Sequence, residues 1–183
     1  MMKMKLTVAV AAFVGMLGFG AVAPVHADTA TKVSAHYPSR VITYHIDSKS
    51  NYYRNLWKQA VNVYHDNGAF VFKNTSRSKA KLRMTSVKTN PSYPFGYGDY
   101  WVDSFQPHVI TKSRVVISRD GFMSETDSHA QRIAWAAYLI GGSIGMQYTN
   151  KASGITSSNN EIPQLSNGDK LGLVKAYKHL RLL

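Results

Sequence analysis

Cysteine is absent from the 183 residues, and acidic side chains are scarce, with 10 Asp plus Glu against 22 Lys plus Arg. The first absence excludes disulfide scaffolds, thiolate zinc sites and cysteine nucleophiles. The second leaves a formal charge of +12 with histidines neutral. Charged residues of all kinds make up only 17% of the chain, while 44% are hydrophobic and 11% aromatic. That balance excludes intrinsic disorder and allows a packed core. After residue 23 no apolar run is long enough to cross a bilayer.

The amino terminus has the layout of a secretory signal. Lys3 and Lys5 precede an apolar run over residues 6–23, and Val25-His26-Ala27 places small residues at alternate positions before the polar Asp28. Cleavage is expected after Ala27, giving a signal peptide at 1–27. A retained anchor is the alternative, but Pro24 interrupts the run and no basic stop-transfer cluster follows. Cleavage removes two lysines and no acid, so the mature chain keeps about ten more basic than acidic side chains. It is expected outside the cytoplasm.

Residues 28–39 are polar and aperiodic and are read as a flexible leader to a domain over 40–183. Ile42, Tyr44 and Ile46 alternate as a strand over 41–47. From 51 to 67, Tyr53, Leu56, Trp57, Ala60, Val61 and Tyr64 recur at helical spacing, with Gly68 suited to end the helix. Residues 69–72 form a short apolar stretch. Further strands are expected at 80–87, 97–103 and 112–119, with Asp120-Gly121 as a turn. Ser128 caps a helix over 129–141 that runs into Gly141-Gly142. Ser166-Asn167-Gly168-Asp169 has the spacing of a capping box for a last helix over 167–180. The expected architecture is α+β, with a twisted mixed sheet of about four strands and the two long helices packed on one face.

This order of elements resembles the small zincin metallopeptidases, and more narrowly the secreted matrixin-type metzincins, over roughly residues 40–177. The helix ending in glycine carries the resemblance. The family's run H-E-x-x-H-x-x-G-x-x-H falls on Tyr138-Leu139-Ile140-Gly141-Gly142-Ser143-Ile144-Gly145-Met146-Gln147-Tyr148. The resemblance places the first zinc histidine at Tyr138, the general-base glutamate at Leu139, the second histidine at Gly142 and the third at Tyr148. Gly145 keeps the turn glycine, and Ile155, in Ser153-Gly154-Ile155-Thr156, takes the place of the family's methionine turn.

The family implies zinc and peptide hydrolysis, but these replacements remove both requirements. Two helical histidines four apart and a third beyond the turn hold the metal, and the glutamate takes a proton from its bound water. Glycine and leucine donate nothing, and a phenol with a pKa near 10 is a poor ligand at neutral pH. The remaining histidines, His36, His45, His65, His108, His129 and His179, include no pair at three- or four-residue spacing. No catalytic residue, cofactor or metal is therefore expected.

What remains is a binding protein. Tyr97, Tyr100 and Trp101 lie in an aromatic stretch and are candidate ligand contacts, and the positive charge suits a peptide or an anionic cell-envelope polymer. Nucleic acid is less favoured, because no recognition motif is present. Two other readings stay open: an active zinc metalloendopeptidase with unconventional ligands, and a basic adhesive or structural extracellular domain.

Overall fold

The computed structural model describes residues 29–124, 126, 128–148, 154–155, 157 and 162–180. The expected signal peptide at 1–27 lies outside the described residues. Alternating apolar residues form β1, Val41–Ile46, and the amphipathic run that follows forms α1, Asn51–Asn62. The chain then enters β2, Val71–Asn74, which pairs parallel with β1 and closes a β-α-β unit. β3, Leu82–Val87, pairs parallel with the other side of β1. β4, Gly96–Val102, and β5, Ile110–Ser118, form an antiparallel hairpin, and β5 pairs parallel with β3. Helix α2, Arg119–Ser124, follows directly, then α3, His129–Ser143, and α4, Asn167–Tyr177.

The fold is thus α+β, with a mixed sheet in the order β2-β1-β3-β5-β4. Five strands replace the four expected, because the apolar stretch near 69–72 contributes β2. Four residues with an exposed, intermediate, exposed, exposed pattern give too little alternation to announce a strand, and pairing with β1 supplies the stabilisation. The Asp120-Gly121 turn is instead part of α2, where Gly121 lets the helix pack against the Pro94 carbonyl without a clashing Cβ. Helix α1 ends five residues early. Its last turn tightens through Tyr64 N–H to Val61 and His65 N–H to Asn62, and buried Asn67 then holds the exit by bonding Ala69 N–H, Phe70 N–H and the Phe70 carbonyl.

One face of the sheet supports the core. Ile42, Leu82, Met84, Val115 and Ile117 meet Leu56, Trp57 and Ala60 of α1 and Ala136, Ala137 and Ile140 of α3 in one cluster. Helices α1 and α3 pack on each other, and α3 also packs on β4 and β5, as the helical periodicities predict. Ser128 accepts from Gln131 N–H at the start of α3, and Ser166 and Asp169 form the expected capping box of α4.

The segment read as a flexible leader is instead docked from residue 29. Ala35 and Tyr37 are buried, Val33 bridges to Met146, and His36 bridges to Val109. The Tyr37 hydroxyl bonds the Ser113 hydroxyl, and the Tyr37 N–H donates to the Tyr177 hydroxyl. Gly168 and Gly172, one turn apart on α4, let the carbonyls of Thr29 and Thr31 approach where any Cβ would collide. Polar composition hid this strap because only Val33, Ala35 and Tyr37 of it pack on the core, and much of its docking is backbone approach to glycine.

Asp169 joins these pieces. It is fully buried, and its carboxylate accepts from Thr31 Oγ1 at 2.7 Å, Ile155 N–H at 2.8 Å and Ser166 N–H at 3.1 Å. The Asp169→Asn variant is expected to lose about 2–4 kcal/mol, because an amide NH2 would face donors that then lack an acceptor. The exposed Asp66→Asn serves as a control with little change. Urea denaturation of both variants checks this.

Burial raises the phenols of Tyr37, Tyr64 and Tyr177 above their ordinary value of 10.0. Unfolded tyrosines lose their protons first, so the stability these groups contribute is complete below pH about 10 and is lost as pH rises above it. Alkaline titration is expected to show a late rise in phenolate absorbance that coincides with loss of circular dichroism.

Candidate functional site

The end of α3 turns back on itself. Gly145 has φ of +90° and lies so close to the Ala35 carbonyl that no side chain could be built there. Ser34 N–H bonds the Gly145 carbonyl at 2.8 Å, and Gln147 N–H bonds Lys32. The turn glycine therefore has two functions, a left-handed backbone and a contact with the strap. The return brings Tyr148 over α3, where its ring stacks on Tyr138 with centroids 4.2 Å apart and planes 16° apart.

Positions 138, 142 and 148 meet at one place. The Tyr148 hydroxyl lies directly over Gly142, in space that a Cβ would need. Tyr148 is 47% exposed through its ring, but the hydroxyl end is tucked against the helix. Burial pushes its phenol upward, reinforced by Tyr138 and the Asp99 carboxylate. The Tyr138 phenol is also raised by burial. Leu139 points elsewhere: it is buried, its carbonyl abuts Gly98 and its Cδ1 abuts Gly96 of β4. Glycine at these two strand positions is what allows the helix to lie against β4. Ile155 is buried under the helix and approaches Gly141, the neighbour of Gly142. It forms an apolar floor, while Ser153 and Thr156 of the same turn lie outside the described residues.

Two residues that sequence reading passed over extend this surface. Trp135 meets Tyr138 at 5.2 Å, and Phe95, just before β4, meets Trp135 at 6.3 Å. Phe95, Trp135, Tyr138 and Tyr148 form a continuous aromatic row from the start of β4 to the end of α3. The i, i+3 spacing of Trp135 and Tyr138 was the available signal. Phe95 had none, since its place depends on how the hairpin docks.

The candidate aromatics of β4 do not form a single surface. Tyr100 faces the helices and bonds Ser34 through its hydroxyl at 3.1 Å. Tyr97 and Trp101 alternate to the opposite face, where Tyr97 packs on Tyr93 and Trp101 lies under Lys112 Nζ at 4.9 Å. β4 is an edge strand, and among the described residues no strand pairs with its outer side.

Two further concavities lie away from the aromatic row. One of about 420 Å³ lies between the end of α1 and residues 163–165, and one of about 530 Å³ is lined by Tyr44, Tyr64, Val71 and Phe72. Among the described residues no three His, Asp or Glu side chains are grouped closely enough to hold a metal ion. No helix among those residues is long and apolar enough to cross a membrane. No family model matches the chain, and no curated protein matches it.

The two kinds of glycine contact predict different costs. Gly98→Ala drives a methyl group into the Leu139 backbone carbonyl, which cannot swing away, and is expected to cost about 2 kcal/mol or more. Gly142→Ala meets the far end of the Tyr148 side chain, which can rotate out, and is expected to cost less than about 1 kcal/mol. It should also return the Tyr148 phenol toward its ordinary value. Chemical denaturation and phenolate titration of the two variants distinguish these effects.

Proposed function

We propose that this chain is a secreted, non-catalytic relative of the matrixin-type metallopeptidases that holds an extended peptide along the aromatic row and the free edge of β4. The observation that carries this reading is the convergence of residues 138, 142 and 148. The resemblance assigns three zinc ligands to these positions, and they meet in space although six residues separate the last two. Their chemistry does not fit zinc. Position 142 has no side chain, and the space above it is filled by the Tyr148 hydroxyl. Both phenols are raised by burial, which makes a metal-binding phenolate harder to form. The position that the resemblance gives to the general base is a buried leucine, which cannot take a proton from a water.

The same features suit binding. An unpaired edge strand offers N–H and C=O groups in register for an added strand, and side-chain preference comes from adjoining surfaces. Here that surface is a row of four rings, partly exposed at Phe95 and Tyr148. Aromatic rings contribute large contact area with little side-chain entropy to lose. The charged amino terminus, apolar run and small-residue site over 1–27 support export.

Fluorescence polarisation with labelled peptides tiled along an unfolded protein tests the binding. Tyr148→Ala and Trp135→Ala are expected to weaken the best peptides at least about tenfold, as for anchor aromatics elsewhere. Tyr52→Ala, an exposed ring on α1, should have no effect. Elemental analysis after zinc loading, run beside a cleavage assay on the same unfolded protein, tests the non-catalytic part. Stoichiometric zinc with chelator-sensitive cleavage would overturn it.

A further inference from the structure

The sheet has a second face, opposite the helices, that the cleft does not use. Strand alternation sends Ile42, Leu82, Met84, Val115 and Ile117 to the core, and therefore Arg83, Lys112 and Arg114 to the other side. Val116, on that side, is buried yet stands apart from the core cluster. Arg83 and Arg114 are register partners on adjacent parallel strands. Lys81 and Lys112 lie one rung back, beside the bond from Ser113 N–H to the Lys81 carbonyl.

The loop between β2 and β3 adds to this face. It crosses β1 on the outer side, held by Thr43 Oγ1 donating to the Lys79 carbonyl at 3.1 Å and by His45 Nδ1 bonding the Thr75 carbonyl at 2.9 Å. Arg77 Nε meets Asp47 at 3.0 Å, and Arg83 bonds the other Asp47 oxygen. Asp47 is thus shared by two arginines. Among the described residues no further ion pair forms on this face, and Asp99 of β4 stands opposite Arg114 in register, so Lys79, Lys81 and Lys112 are the cations with no carboxylate facing them.

The cations on this face still outnumber its carboxylates, which favours an anionic partner. The charges spread over neighbouring strands and line neither of the two concavities described above, which suits a chain of anions rather than one small ion. A nucleic acid would stack its bases on ring faces, and here Lys112 occupies one face of the half-exposed Trp101 while Tyr93 packs on Tyr97. A lipid surface would want apolar side chains projecting among the cations, and here the exposed Trp101 and Phe105 lie at the β4–β5 hairpin end of the face.

We infer that this outer face docks a linear polyol-phosphate polymer, a chain of phosphodiesters without bases, independently of the α3–β4 site. The probe is poly(glycerol phosphate), measured by calorimetry at several salt concentrations. The variant Lys81→Gln/Lys112→Gln/Arg114→Gln is expected to bind about tenfold or more weakly at low salt. Its log-affinity slope against log salt should be smaller by about 2, as for loss of three phosphate contacts. Lys58→Gln/Lys175→Gln/Lys178→Gln removes the same charge from exposed positions on α1 and beyond, and should change affinity less than about twofold. Thermal denaturation checks folding, and Lys79→Gln/Lys81→Gln, with both positions outside the strands, gives a several-fold loss if the first variant is unstable. Equal losses in the two triple variants would overturn the inference in favour of net charge alone. So would absence of polymer binding at low salt, or tighter binding to phosphatidylglycerol vesicles or single-stranded DNA at matched phosphate.

Discussion

The buried carboxylate of Asp169 is the point on which the carboxyl-terminal half depends. It starts α4 through its capping box, holds Thr31 of the strap, and fixes Ile155 N–H beneath α3. Thr31 of the strap is 138 residues from Asp169 in sequence, and Ile155 is 14 residues from it. A charged acceptor in a dry site makes each of these bonds stronger than it would be in water, and makes losing any of them costly. The floor under the aromatic row is therefore set by a polar interaction rather than by hydrophobic packing alone.

Close backbone approach is the second constraint. Gly96 and Gly98 bring β4 against Leu139, Gly145 brings the strap against the end of α3, and Gly168 and Gly172 bring the strap against α4. At Gly98, Gly145, Gly168 and Gly172 the contact is backbone against backbone, and this helps to hold down a strap with few apolar residues. It also positions the site. Helix α3 can lie at the edge of the sheet, and place Tyr138 and Tyr148 beside β4, only because the strand presents no side chain at its contact points.

The two faces of the sheet separate two kinds of chemistry. Helices, the stacked aromatic row and raised phenols gather on one side, and an excess of cations on the other. Period-two alternation produces this division, since each strand sends successive residues to opposite faces. Tyr100 and Trp101 illustrate it: neighbours in sequence, one bonds Ser34 on the helix side and the other lies under Lys112 outside.

The elements with strong local signals were legible in the sequence. The alternation of β1, the periodicity of α1, the hydroxyl cap of α3 and the capping box of α4 each arise from interactions within a few residues, so composition and spacing alone determine them. The charge excess and the absence of histidine from residues 138–148 were also plain in the sequence. Tertiary structure alone decided the rest. Strand β2 exists because β1 pairs with it, the strap is ordered because glycines on α4 accept it, and Phe95 and Trp135 join the tyrosines because the hairpin docks on α3. Each of these depends on contacts between distant segments, whose cost in chain entropy is offset only when the whole sheet and its helices form together.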